Sequence, residues 1–142
     1  MEKFNVSRIG LGLFYLIAGV VNLVHTIHNT HYLWSVCLEN VHFSFYKEFL
    51  EQIVIPNEIL IILLVIVFEF IVGILILSKE FFVKIGLSLA ILWVLIIAPF
   101  LPWVDVFGHL VLGMFQALLL IGNYETTVLE IIQSKISKEH FY

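Results

Sequence analysis

The chain has 142 residues, 61% hydrophobic and 13% charged, with a mean hydropathy of +1.07 and a formal charge of -4. That balance lies far outside a water-soluble globular domain, and it gives no support to nucleic-acid binding, which needs a basic face. So short a chain, most of it apolar, leaves no room for a separate soluble catalytic domain, so any activity is expected within a membrane bundle or on its one long loop.

A transmembrane helix needs about 20 mostly apolar residues at about 1.5 Å each. Four segments meet that need: 9–24, 59–77, 83–101 and 104–122. Lys3 and Arg8 precede the first. The segment ends in Val-Asn-Leu-Val-His-Thr, without a small-x-small cleavage site, so it reads as a retained helix rather than a signal peptide.

An outer loop follows over 25–58. His25, His28 and His31 recur every three residues and drift around one helix face, with Glu39 or His42 as a further ligand for a metal. The signal is weak, because no H-x-x-x-H pair fixes two ligands and Asn29-Thr30 ends the helix among them; interfacial histidines, which tolerate both water and headgroups, explain the run better. Cys37 stands alone, which excludes an internal disulfide and a C-x-x-C redox pair. From 44 to 54, Phe45/Tyr46, Phe49/Leu50 and Ile53/Val54 alternate at helical spacing with Lys47, Glu48, Glu51 and Gln52. That pattern predicts an amphipathic helix lying on the membrane or capping the bundle mouth, ended by Pro56, with Asn57 as N-cap of the second span.

Glu69 lies in the middle of the second span. A carboxylic acid at that depth costs roughly 2.5 to 3.5 kcal/mol on insertion scales, so it demands compensation by a partner or a proton. The short connections at Ser78-Lys79-Glu80 and around Pro99 and Pro102 predict antiparallel hairpins. The fold class expected is therefore an all-α, four-helix, up-down-up-down membrane bundle with an outer amphipathic helix. Six of the seven basic residues, Lys3, Arg8, Lys79, Lys84, Lys135 and Lys138, then fall on one side and only Lys47 on the other. The positive-inside rule predicts a multi-pass membrane protein with both termini cytoplasmic. The tail over 123–142 carries an apolar stripe, Val128, Leu129, Ile131, Ile132 and Ile136, suited to an interfacial helix.

Few polar residues interrupt the spans. Counted from the cytoplasmic ends, Gln116 lies about 9 Å in, Glu69 about 13 Å, His109 about 20 Å and Asn22 about 21 Å. Gln116 is thus the expected partner of Glu69, and His109 shares its helix face with Gln116, which places Glu69 between them. Glu69, His109, Gln116 and Asn22 are the candidate ligand-binding or proton-accessible residues; the alternative role for each is to join helices, since interhelical hydrogen bonds contribute about 0.6 to 2 kcal/mol in lipid. Gly12, Gly19, Gly86-x-x-x-Ala90 and Gly113-x-x-x-Ala117 suit close helix contact. A short internal similarity sets Arg8-Ile-Gly-Leu-Gly-Leu beside Lys84-Ile-Gly-Leu-Ser-Leu, and Glu69-x-x-x-Gly73 beside His109-x-x-x-Gly113, as in a parallel repeat.

Arg8, Gly10-Leu-Gly12, Ala18-Gly19 and Glu69 with Gly73 together resemble the DoxX-like family of small four-span membrane proteins. Where many members carry a basic residue soon after the first-span glycine, this chain has Asn22 and His25. The resemblance implies a bacterial or archaeal subunit of the cytoplasmic membrane, often linked to respiratory, quinone or redox-stress partners, with quinone or thiol redox as the chemistry handled. With the bilayer around it, the chain is then expected to bind a membrane protein partner or a second copy of itself, and quinone is the small molecule implied. The alternative is a proton-linked or small-molecule transporter using Glu69 and His109. No nucleophile, convincing metal set or cofactor motif points to an enzyme, and no cofactor is specified.

Overall fold

The computed structural model describes residues 2–41, 43–131 and 133. His42, Ile132, Lys135, Ile136, Lys138 and the side chain of Lys3 lie outside the described residues. The elements in chain order are α1 (Glu2–Val24), a 3-10 turn (Thr26–His28), α2 (Thr30–Asn40), α3 (Ser44–Phe49), a π-helical turn (Leu50–Val54), a 3-10 turn (Ile55–Asn57), α4 (Glu58–Leu77), α5 (Phe81–Ile97), a 3-10 turn (Ala98–Phe100) and α6 (Trp103–Leu119). No strand occurs among the described residues, so the chain is all-α.

Three helical runs are long and apolar enough to cross a membrane: Phe4–His28, Ser44–Leu77 and Phe81–Phe100. α6, at 17 residues, is a shorter apolar helix. It stops at Leu119 rather than Gly122, because the Tyr124 hydroxyl folds back to donate to the Leu119 carbonyl. Beyond it, Thr127 and Glu130 form a reciprocal capping box: Thr127 N–H donates to the Glu130 carboxylate, and Glu130 N–H donates to Thr127 Oγ1.

The loop between the first two spans is more ordered than its sequence suggests. α2 occupies its first part, with Thr30, Trp34 and Cys37 buried on one face. The amphipathic segment is helical, but it sorts its apolar pairs: Leu50 and Val54 are buried, whereas Phe45, Phe49 and Ile53 are exposed. Pro56 does not end this helix. The π turn and the following 3-10 turn absorb the missing proline N–H, and helix runs on from Ser44 to Leu77. Asn57 accordingly makes no side-chain cap; its Nδ2 donates to the Ile53 carbonyl one turn back.

α1 packs most extensively on α4, α4 on α5, and α5 on α6, while α6 returns only lightly to α1. Gly12 and Gly73 set the first contact. A Cβ on Gly12 would sit 2.6 Å from the Leu77 side chain and 3.3 Å from the Gly73 carbonyl, and one on Gly73 would sit 3.1 Å from the Gly12 carbonyl. The two backbones thus approach through the only residue type that leaves the space. Gly86 does the same for α5 against the backbone of Ile76. At the turn between α4 and α5, Glu80 has φ 51 and ψ -123, the conformation of the first central residue of a type II′ turn, closed by Phe82 N–H to the Lys79 carbonyl. One core cluster, around Tyr15, Val72, Leu87, Leu119 and Tyr124, fills the end of the molecule near Arg8. A second, around Trp34, Leu50, Val54 and Phe100, fills the opposite end.

Candidate functional site

The buried face of α1 carries Arg8, Tyr15 and Asn22 at intervals of seven residues, which keeps all three on one side of the helix. Each reaches a different neighbour. Arg8 is 0% exposed; its Nη1 donates to the Ser78 carbonyl at 2.8 Å and its Nη2 to the Thr126 carbonyl at 3.0 Å. Its guanidinium lies 4.9 Å from the centre of the Tyr124 ring. One side chain therefore joins the start of α1, the end of α4 and the segment after α6. Burial raises the Tyr124 hydroxyl above the usual phenol range, and the charge of Arg8 partly opposes this. Glu80 N–H donates to the Tyr124 carbonyl, adding the α4–α5 turn to the same junction.

Tyr15 accepts a hydrogen bond from Gln116 Nε2 at 2.9 Å, both residues being buried. Asn22 donates through Nδ2 to both carboxyl oxygens of Glu69, at 2.9 and 2.8 Å. Thr26 Oγ1 donates to Asn22 Oδ1 at 2.7 Å, which turns the amide so that its NH2 group faces Glu69. Glu69 is 7% exposed, and Tyr15 lies within its electrostatic reach. The arrangement places one carboxyl group against a neutral amide between α1 and α4, with a tyrosine and a glutamine nearby.

The pairings differ from those expected by depth. Gln116 meets Tyr15 rather than Glu69, and Glu69 meets Asn22. His109 hydrogen-bonds through Nδ1 to the Asp105 carbonyl on its own helix at 2.8 Å, so it is not brought into a relay with Glu69. The internal similarity does not carry over to equivalent contacts: Gly73 meets Leu16 and the Gly12 carbonyl on α1, Gly113 meets the Val94 side chain on α5, and Arg8 is buried where Lys84 is exposed. Arg8 and Tyr15 were not among the candidates read from sequence. Their spacing from Asn22 is the signal that would have found them.

Among the described residues no three His, Cys, Asp or Glu side chains converge to hold a metal. His31 lies instead 3.6 Å from the Glu58 carboxylate, and His25 and His28 are not gathered with it. Cys37 is a buried free thiol whose burial pushes its pKa up to about 11.

At the far end from Arg8, a cavity of about 320 Å³ opens between α2, the π turn, α4 and α5. Its walls include Trp34, Leu50, Ile61, Phe68, Trp93 and Phe100. Comparison with family models finds no match to this chain, and neither curated proteins nor solved structures yield one.

Proposed function

We propose that this chain is an integral protein of the cytoplasmic membrane with four spans in up-down-up-down order, α1, α4, α5 and α6, and both termini cytoplasmic, acting as an accessory subunit of a membrane complex. Length and apolarity support three of the spans, and α6 covers about 26 Å at 1.5 Å per residue, close to the roughly 30 Å hydrocarbon core. Arg8, Lys79 and Lys84 on one side against Lys47 on the other support the orientation.

One observation carries the accessory reading: the interior polar side chains are engaged with other helices of the same chain. Arg8, Tyr15 and Asn22 are joined to Ser78 and Thr126, Gln116 and Glu69, which is how groups that hold a bundle in register behave. The resemblance to DoxX-like proteins extends this to quinone or thiol-redox complexes, with a membrane protein or a second copy of the chain as partner. A second reading, proton-linked or small-molecule transport, is favoured by Glu69 itself, whose hydrogen-bond partner is a neutral amide. In that reading Glu69 is the titrating group, and His109 has to act without a direct bond to it.

Affinity purification from native membranes in mild detergent, comparing wild type with Glu69→Gln, separates the two. A stoichiometric partner retained by both proteins supports the accessory subunit. A solitary, folded protein whose substrate flux in vesicles disappears in Glu69→Gln supports the transporter and removes the first reading.

A further inference from the structure

The cations at the Arg8 end of the molecule are not equally committed. Arg8 is buried against two backbone carbonyls, and Lys79 lies 3.9 Å from the Glu130 carboxylate. Lys84, near the start of α5, is exposed, and among the described residues no carboxylate lies within ion-pairing distance of it, Glu80 one turn earlier included. Ser88 follows Lys84 by four residues and so shares its helix face. A serine within a helix ordinarily returns its hydroxyl to the carbonyl four residues back, as Ser78 does to Ile74. Ser88 is exposed, and its hydroxyl makes no such bond among the described residues.

Both side chains open on one shallow groove of about 290 Å³, completed by Phe81, Ile85, Leu89 and Leu92. All of these residues belong to α5, whose buried face carries Leu87 and Ala90, so the groove looks out of the bundle. Its polarity changes in one direction. Counted from Lys84, Ser88 lies about 6 Å along the helix and Leu92 about 12 Å. A cation at the end of a span, a hydroxyl one turn deeper and hydrocarbon beyond it answer, in the same order, a phosphate, a glycerol ester carbonyl and an acyl chain. Charge then selects among lipids, because a basic side chain at the membrane surface attracts headgroups of net negative charge. A zwitterionic headgroup brings its own ammonium and gains little. A hydrated soluble anion would leave the apolar length of the groove, Leu89 and Leu92, without a role.

We propose that this face of α5 binds one anionic glycerophospholipid, with its phosphate beside Lys84, an ester carbonyl accepting from the Ser88 hydroxyl, and an acyl chain along Leu89 and Leu92. The site is separate from the Glu69–Asn22 pair and rests on the membrane-spanning reading above.

The test uses the full chain reconstituted in phosphatidylcholine vesicles. Parallel samples contain the same mole fraction of a diazirine-bearing acyl phosphatidylglycerol or of the matching phosphatidylcholine, and adducts are mapped by mass spectrometry after illumination. Alkaline carbonate extraction first establishes whether the chain is inserted; a chain that is extracted removes the membrane-spanning reading, whereas an inserted chain tests the site itself. Val111 and Phe107, exposed on α6 and about as far from the same end of the bundle, serve as the reference. The phosphatidylglycerol-to-phosphatidylcholine labelling ratio at Leu89 and Leu92 is expected to exceed the ratio at the reference residues roughly fivefold, the factor for one lysine at a membrane surface. Lys84→Gln should bring it down to the reference value, and Lys84→Arg should retain it. Ser88→Ala should lower groove labelling by both probes roughly two- to tenfold, the range of one neutral hydrogen bond, while keeping the ratio. A diether phosphatidylglycerol probe should label wild type as weakly as the ester probe labels Ser88→Ala; equal labelling by ester and diether overturns the carbonyl contact. Exchanging chloride for inorganic phosphate at constant ionic strength should leave the ratio unchanged, and its loss would assign Lys84 to a soluble anion and overturn the lipid. An inserted chain whose ratio in the groove equals the reference, or survives Lys84→Gln, overturns the site.

Discussion

Replacing Arg8 by methionine isolates the junction at one end of the molecule. The change removes two hydrogen bonds from a charged donor, worth about 1.5 to 3 kcal/mol each, and a cation–π contact worth about 0.5 to 2 kcal/mol. Against this, the variant no longer desolvates a guanidinium, a cost of several kcal/mol. Thr126 is exposed and Ser78 half-buried, so water can reach the carbonyls left behind and limits their penalty. The net expected loss is about 2 to 3 kcal/mol. Arg8→Lys retains the positive charge but has no planar fork to reach two carbonyls, so its loss should be about half as large. The assay is equilibrium unfolding in mixed dodecyl maltoside and SDS micelles followed by circular dichroism, with limited proteolysis after Gly122 as a local probe. Both variants should expose the segment around Thr126 to protease before the helices unfold. If Arg8→Met matches wild type within about 0.5 kcal/mol and its tail stays protected, the junction does not hold the three segments together.

Other perturbations test the remaining contacts. Gly86→Ala places a methyl group 2.9 Å from the Ile76 backbone nitrogen, so α4 and α5 must separate, and a loss of about 1 to 3 kcal/mol in the same unfolding assay is expected. Asn22→Leu leaves the Glu69 carboxyl without its donor and should cost about 1 to 3 kcal/mol, whereas the double change with Glu69→Leu removes both polar groups and should recover most of that loss; equal instability of single and double variants would show that the pair contributes nothing beyond packing. Glu80→Gly relieves a non-glycine residue at positive φ and should stabilise the α4–α5 turn by up to about 1 kcal/mol, read as a shifted unfolding midpoint. Burial raises the Cys37 thiol from 9.0 to about 11, so its contribution to stability is fully present below pH 9 and is lost as pH rises toward 11. Maleimide labelling at pH 8 should accordingly be slow in the folded protein and rapid after unfolding in SDS; fast labelling of the native form would contradict the burial of Cys37.

The all-α class and the position of the long apolar helices were legible along the chain, because an uninterrupted run of apolar side chains is a local property readable without knowing any neighbour. It also marked Glu69, Asn22 and Gln116 as polar groups needing partners. Which partners they take depends on how the helices pack. Depth counting set Asn22 and Glu69 about 8 Å apart, but side chains on a helix tilt toward its N-terminus, and α1 and α4 run in opposite directions. The two side chains therefore lean toward one another and close that gap, while the Gly12–Gly73 contact holds their helices close enough to meet. Arg8 was legible as a basic residue before a span and not as a buried one, since its acceptors are the backbone carbonyls of Ser78 and Thr126, remote in sequence and anonymous in composition. The same holds for Pro56, which signals a helix end locally but is carried through by a π turn whose buried Leu50 and Val54 pack into the far core. The burial of Trp34 and the cavity beside it likewise arise only where α2, α4 and α5 come together.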